Sequence, residues 1–148
     1  IAYCSGAGLF NDVPRPNERA ALAAAAPLVQ ERVNLLGEVP GMVAFLFTTD
    51  DDLEIEADAR ASLGDDAAAV LDAGLAALEP LAVFEPATIE EALRVALVDG
   101  LGLKPRVAFG ALRVAVSGRR VSPPLFESMQ LLGRDSTLAR LRALRASL

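Results

Sequence analysis

Apolar residues recur along this chain at helical spacing, and proline and glycine mark off one run from the next. Leu22, Val29, Val33 and Leu36 share one face, so a helix is predicted from an Asn17 N-cap, after Pro14 and Pro16, to about Gly37 and Pro40. Met42 to Phe47 is a short apolar run between that helix and an acidic break, and reads as a short packed helix rather than a strand. The polar, self-repelling stretch Thr48 to Asp52 predicts an exposed connection, and a subdomain boundary is placed there, giving subdomains 1–48 and 49–148.

Beyond the boundary, helices are predicted over Ala57 to Leu63 and Asp65 to Leu78, the second with Val70, Leu71, Leu75 and Leu78 on its stripe. Pro80 and Pro86 bracket a loop, Thr88 and Glu91 read as a capping box, and Leu93, Leu97 and Val98 form the next core face. Gly100 and Gly102 break the chain before a helix opened by Pro105, carrying Val107, Leu112 and Val116 and stopped by Gly118. Ser122 is expected to cap a helix with Pro123 in its first position, Gly133 to end it, and Asp135 to cap the last one. In that last helix Leu138, Leu141 and Leu144 face inward and Arg140, Arg142 and Arg145 outward.

Composition supports the pattern. The chain is 53% hydrophobic, much of it alanine, with no tryptophan and 5% aromatics, which favours closely packed helices over a sheet of β-branched residues. The expected fold is all-α, two small helical bundles. Cys4 is the single cysteine and histidine is absent, which excludes an internal disulfide, the usual zinc ligand sets and every Ser-His or Cys-His catalytic pair. No catalytic residue and no metal ligand is therefore assigned, and Cys4 is expected to be inert in a frayed end. Asp50 to Asp52 lack the ligand spacing of a calcium loop and read as a solvated acidic linker. No P-loop or dinucleotide fingerprint occurs, and no apolar run is long enough to span a bilayer. The start lacks a basic region and an initiator methionine, so it reads as a cut in a longer chain rather than a signal peptide. A reducing cytoplasm is the expected compartment.

The net charge of -6 conceals an asymmetry. Residues 1–100 carry five arginines against 18 acidic residues, a net of -13, whereas residues 101–148 carry nine basic residues against two acidic ones, a net of +7. Such a division marks either a polyanion-binding face or a basic patch that docks on the acidic half of the same protein. Within the basic third, RVAVSGRRVSPPLF (Arg113 to Phe126) brings Arg113, Arg119 and Arg120 to a turn, followed by Ser122, Pro123 and Leu125. Arginine offers forked donors to phosphates and base edges, a helix start offers free N–H groups, and rigid apolar surfaces stack on splayed bases. That combination suits a single-stranded RNA loop. An ordinary proline-started helix after a glycine stop is the competing reading of the same residues.

LRVAVSGRRVSPPLFESMQLLGRDSTLARL (Leu112 to Leu141) resembles the closing segment of bacterial glutamyl-tRNA synthetases, and APLVQERVNLLGEVP (Ala26 to Pro40) resembles that family's first anticodon-side helix. The resemblance implies two helical subdomains docked on the anticodon loop of the glutamate tRNA, in a monomeric ligase. It also implies an upstream catalytic domain using ATP and Mg, whose HIGH and KMSKS signatures are absent from this sequence. It places Arg113 near the anticodon, Ser122, Pro123 and Leu125 at a helix start against its bases, and Arg32 beside the third anticodon base. Ala111 departs from the proline common before the Leu-Arg pair, and Phe109-Gly110 also differs. Without the resemblance, Arg32 reads as a surface residue paired with Glu31 or Glu38, and the whole chain as a helical interaction module with a basic end.

Overall fold

A computed structural model describes residues 1–11 and 13–148, and no strand occurs among them. The described helices are α1 (Ala2–Gly6), α2 (Pro16–Val29), α3 (Val39–Val43), α4 (Ala57–Ala61), α5 (Ala67–Leu78), α6 (Pro86–Leu93), α7 (Pro105–Ser117), α8 (Leu125–Leu132) and α9 (Arg134–Ala146). Single 3-10 turns at Leu36–Glu38 and Ala44–Leu46 flank α3, and α6 runs into a π-helical segment, Arg94–Gly100. The all-helical expectation holds, including the short packed helix near Met42.

Two apolar clusters organise these elements. The larger, from residues 45–144, centres on Leu71, Leu78, Ile89, Leu93, Leu97, Leu112, Met129 and Leu141, none of which exposes surface. The smaller gathers Cys4, Phe10, Ala25, Val29 and Val43, with the Phe10 and Phe47 rings edge to face at 5.6 Å. Leu46 packs against both, and Leu131 of α8 reaches the smaller one, so a continuous apolar path joins the clusters.

Several helix ends differ from expectation. Helix α2 begins at Pro16 with Arg15 before it, because the Glu18 carboxylate reaches back to accept the Arg15 backbone N–H at 2.7 Å, a role the sequence reading gave to Asn17. It stops at Val29, well short of Gly37, and Leu36 is exposed. Helix α6 starts at Pro86, so Thr88 is its third residue and accepts the Glu85 N–H at 3.2 Å instead of capping with Glu91. Val107 is exposed rather than in the core. Gly133, not Asp135, precedes α9. Cys4 is not in a frayed end: it is buried in α1, and burial raises its thiol above the ordinary value.

Candidate nucleic-acid interface

Helix α7 ends as its sequence predicts. Gly118 takes φ +73° as its C-cap, and its N–H bonds the Val114 carbonyl at 2.8 Å. A Cβ at Gly118 would lie 2.2 Å from the Glu54 carbonyl oxygen, so only glycine lets the Glu54–Glu56 strand of chain lie this close. The Glu56 N–H bonds the Gly118 carbonyl at 2.9 Å and fixes that approach. Directly after this cap the chain delivers Arg119 and Arg120.

The two arginines behave differently. Arg119 is a clamp: its Nε donates to Glu56 Oε1 at 2.6 Å and its Nη1 to the Gly41 carbonyl at 2.7 Å, tying the end of α7 to α3. Gly41 permits this, since a Cβ there would sit 3.0 Å from Arg119 Nη1. Arg120 is exposed and forms no hydrogen bond or ion pair among the described residues.

Arg113 is half-buried on α7 and faces the turn that follows. Its Nη1 donates to Ser122 Oγ at 2.9 Å, to the Pro123 carbonyl at 3.0 Å and to the Ser122 carbonyl at 3.4 Å. This corrects the expected cap. Ser122 is 3% exposed and engaged by Arg113, while the next helix starts two residues later than predicted, at Leu125 after Pro124. Pro123 is buried and Leu125 is 4% exposed, so all three residues lie beneath the surface. Val121 beside them is exposed.

No carboxylate neutralises Arg113 among the described residues. Burial, and then the positive charge of Arg32, push its guanidinium below the ordinary value. Arg32 is exposed just past α2, and the pairing with Glu31 or Glu38 considered from sequence does not form. The Glu38 carboxylate instead accepts the Asn34 and Leu35 N–H groups at 2.8 and 3.2 Å. Arg32, Arg119 and Arg120 line one concavity, and Arg106, Arg113 and Arg120 line the next, so Arg120 stands where the two meet. Arg106 escaped the sequence reading. The signal was present: it precedes Arg113 by seven residues on α7, two turns along the same face.

Of the rest of the basic third, Lys104 is exposed and Arg134 lies over the Phe84 ring, whereas Arg140, Arg142 and Arg145 are paired with carboxylates. Arg140, expected to point outward, is 2% exposed. Its Nε donates to Asp50 Oδ1 at 2.6 Å, Nη2 to the Thr48 carbonyl at 2.8 Å, and Nη1 to the Val116 and Phe45 carbonyls at 2.9 and 3.1 Å. Asp50 is therefore half of an ion pair and not simply a solvated linker residue. Arg142 pairs with Glu79, and Arg145 with Asp72 at 2.8 Å. Self-docking thus accounts for Arg140, Arg142 and Arg145, whereas Arg32, Arg106 and Arg120 are exposed and without an ion pair among the described residues. Among the described residues no group of three or more His, Cys, Asp or Glu side chains is arranged to hold a metal, and no helix is long and apolar enough to cross a membrane.

Comparison with known proteins bears on this surface. The glutamate–tRNA ligase of Kineococcus radiotolerans is 59% identical over 148 residues, which is 100% of this chain and 30% of that protein. The corresponding ligase of Kocuria rhizophila is 57% identical over 148 residues, again 100% of this chain and 29% of the relative. The chain thus spans about a third or less of the length of the relatives it matches. A crystal structure of a glutamate tRNA ligase from Elizabethkingia meningosepticum superposes with a TM-score of 0.74 over 99% of this chain and 28% of that one. At 17% identity it establishes a shared helical fold. A family model described as an anticodon binding domain matches residues 7–145, nearly the whole chain and all of the stretch that carries Arg32, Arg106, Arg113 and Arg120, and the chain belongs to that anticodon-binding family.

Proposed function

We propose that this chain is the anticodon-reading part of a glutamate–tRNA ligase and that it holds the anticodon loop of the glutamate tRNA against Arg32, Arg113 and Arg120. The observation that carries the reading is the pair of adjoining concavities in which arginines from distant parts of the chain gather, Arg32 and Arg120 in one and Arg106, Arg113 and Arg120 in the next, with Arg32 and Arg113 close enough to repel. Like charges held together raise the free energy of the empty site, and a polyanion relieves that cost. In this reading residues 1–48 and 49–148 act as two subdomains, and the loop lies across their seam. Arg32 offers donors to the third anticodon base. Arg120 and Arg106 hold backbone phosphates on either side of Arg113. Arg119, Ser122, Pro123 and Leu125 support this surface from beneath: Arg119 fixes α7 on α3, and the buried turn aligns Arg113.

The chemistry of the full protein, joining glutamate to tRNA with ATP and Mg, belongs to its other part, for which this chain supplies substrate selection. A monomeric, cytoplasmic protein is consistent with that role. Fluorescence anisotropy with a labelled anticodon stem-loop of the glutamate tRNA, and with one carrying a changed anticodon, tests the proposal at two salt concentrations. The expected result is tighter binding of the cognate loop at both. Equal affinity for the two loops overturns the reading and leaves a basic end that binds polyanions, or an acidic protein partner, without selection.

A further inference from the structure

We infer that Arg140 is a positioning residue for anticodon reading: one buried guanidinium fastens the 45–50 segment to α7 and α9 and so fixes where Arg32 stands relative to Arg113. The inference rests on the reading just proposed and extends it to a residue remote from the RNA surface.

Arg140 lies on the flank of the α9 apolar stripe, beside Thr137, Leu141 and Leu144. Its partners come from three places. Phe45 and Thr48 offer carbonyls from the chain leaving α3, Asp50 offers a carboxylate, and Val116 offers a carbonyl in the last turn of α7. The sequence separations are 90 residues to Asp50 and 95 to Phe45, so these bonds join parts of the chain that are far apart in sequence. Carbonyls that leave a helix end have no intrahelical partner, and those at Phe45 and Thr48 are satisfied by this side chain. A planar fork with fixed donor directions sets both distance and orientation, which an ammonium on a flexible stem does not.

The fastened parts carry the reading residues. Arg32 follows α2, which packs on α3 and α8, while Arg113 lies on α7 one turn before Val116. Between them the path runs through Phe45, Thr48 and Arg140, with Arg119 to Gly41 as a second tie. Packing of α2 on α3 and α8 holds the two parts together, and these ties fix their relative placement against the mutual repulsion of Arg32 and Arg113. Placement matters because a well-placed arginine contact to a base discriminates by roughly 5- to 150-fold, and an offset of the order of an ångström removes much of that.

The test combines a distance with a binding measurement. In a Cys4→Ala background, spin labels at Asn34→Cys and Val107→Cys, both exposed, report the separation across the seam by pulsed electron resonance. The wild-type pair is expected to give one narrow distribution, Arg140→Met a broadened or displaced one, and Arg140→Lys an intermediate one. Asp50→Asn, which keeps the hydrogen-bond acceptor and lightens the perturbation, serves if Arg140→Met fails to fold by circular dichroism. The same variants, unlabelled, are then measured against cognate and changed-anticodon stem-loops. Supporting results are a broadened distance together with a fall in discrimination to within about threefold of unity, and partial recovery by the lysine. An unchanged distance in the folded Arg140→Met or Asp50→Asn protein overturns the positioning role, whatever the RNA does. A broadened distance with discrimination intact overturns its connection to reading. If wild type itself fails to discriminate, the anticodon reading falls, and Arg140's part in it falls too, while the distance still decides whether Arg140 fastens the seam.

Discussion

Replacing Gly118 by alanine perturbs the point on which the candidate interface turns. Two costs arise. A left-handed φ of +73° is unfavourable for any residue with a Cβ, by about 1–2 kcal/mol. The new Cβ would also stand 2.2 Å from the Glu54 carbonyl oxygen, so the 54–56 backbone must retreat by most of an ångström. That retreat breaks the Glu56 to Gly118 backbone hydrogen bond, worth about 1 kcal/mol, and loosens Glu56 from Arg119. The last term is small, because both side chains are more than a third exposed. The sum is about 3 kcal/mol, which for a chain of this size lowers Tm by roughly 10 °C. Gly102 provides the internal control: its φ is +67°, but a Cβ there meets nothing within 4 Å. Gly102→Ala therefore carries the conformational cost alone, roughly 4 °C. Thermal melting by far-UV circular dichroism on both variants isolates the contact with Glu54. Equal melting temperatures would refute the reasoning that the close approach at Gly118, rather than its backbone angle, fixes the segment. Because Arg119 and Arg120 follow immediately, Gly118→Ala also weakens stem-loop binding at temperatures where the protein remains folded, whereas Gly102→Ala does not.

Other expectations follow from the same geometry. Arg32→Gln removes an exposed side chain without partners, so Tm should stay within about 2 °C while discrimination at the third anticodon base relaxes; melting of the helices would instead make Arg32 a structural residue. Arg113→Ala should weaken RNA binding by an order of magnitude or more, against less than about twofold for Arg145→Ala, whose charge is already paired with Asp72, and indistinguishable losses would point to a diffuse electrostatic patch. Burial raises the Cys4 thiol, so the folded state keeps its proton at pH values where the unfolded chain has lost it; the associated stability is complete at neutral pH and declines as pH rises through the thiol's range. Denaturant melts of wild type and Cys4→Ala between neutral and alkaline pH measure this, and a wild-type curve that tracks Cys4→Ala throughout would contradict it.

Legibility from sequence divides by the range of the interactions. Helix α7 was readable from end to end because Pro105 and Gly118 act locally, through a fixed φ and an allowed positive one. The stripe of α9 was readable for the same reason, since Leu138, Leu141 and Leu144 follow the helical period. Caps were less so, because neighbouring side chains compete for the same orphan N–H groups: Glu18 satisfies the start of α2, where Asn17 also has the right chemistry. Ser122 has the composition of a cap, yet its hydroxyl is occupied by Arg113 from nine residues earlier. The direction of Arg140 was least accessible, because three of its four partners lie 90 or more residues away. The three arginines carry identical chemistry in the sequence until the fold shows which one meets Asp50 and three carbonyls.

The pairing of Arg140, Arg142 and Arg145 with carboxylates also governs how a polyanion meets this protein. With Arg140, Arg142 and Arg145 matched to Asp50, Glu79 and Asp72, and a net charge of -6 spread over the remaining surface, an approaching RNA is repelled from most directions. The unpaired Arg32, Arg106 and Arg120, grouped at two adjoining concavities, leave an attractive opening. Random collisions are thereby converted into encounters with a preferred heading, and RNA that cannot thread a loop into that opening gains little by lingering elsewhere. Screening by added salt erodes the repulsion as well as the attraction, so the contrast between productive and unproductive encounters should be greatest at low ionic strength.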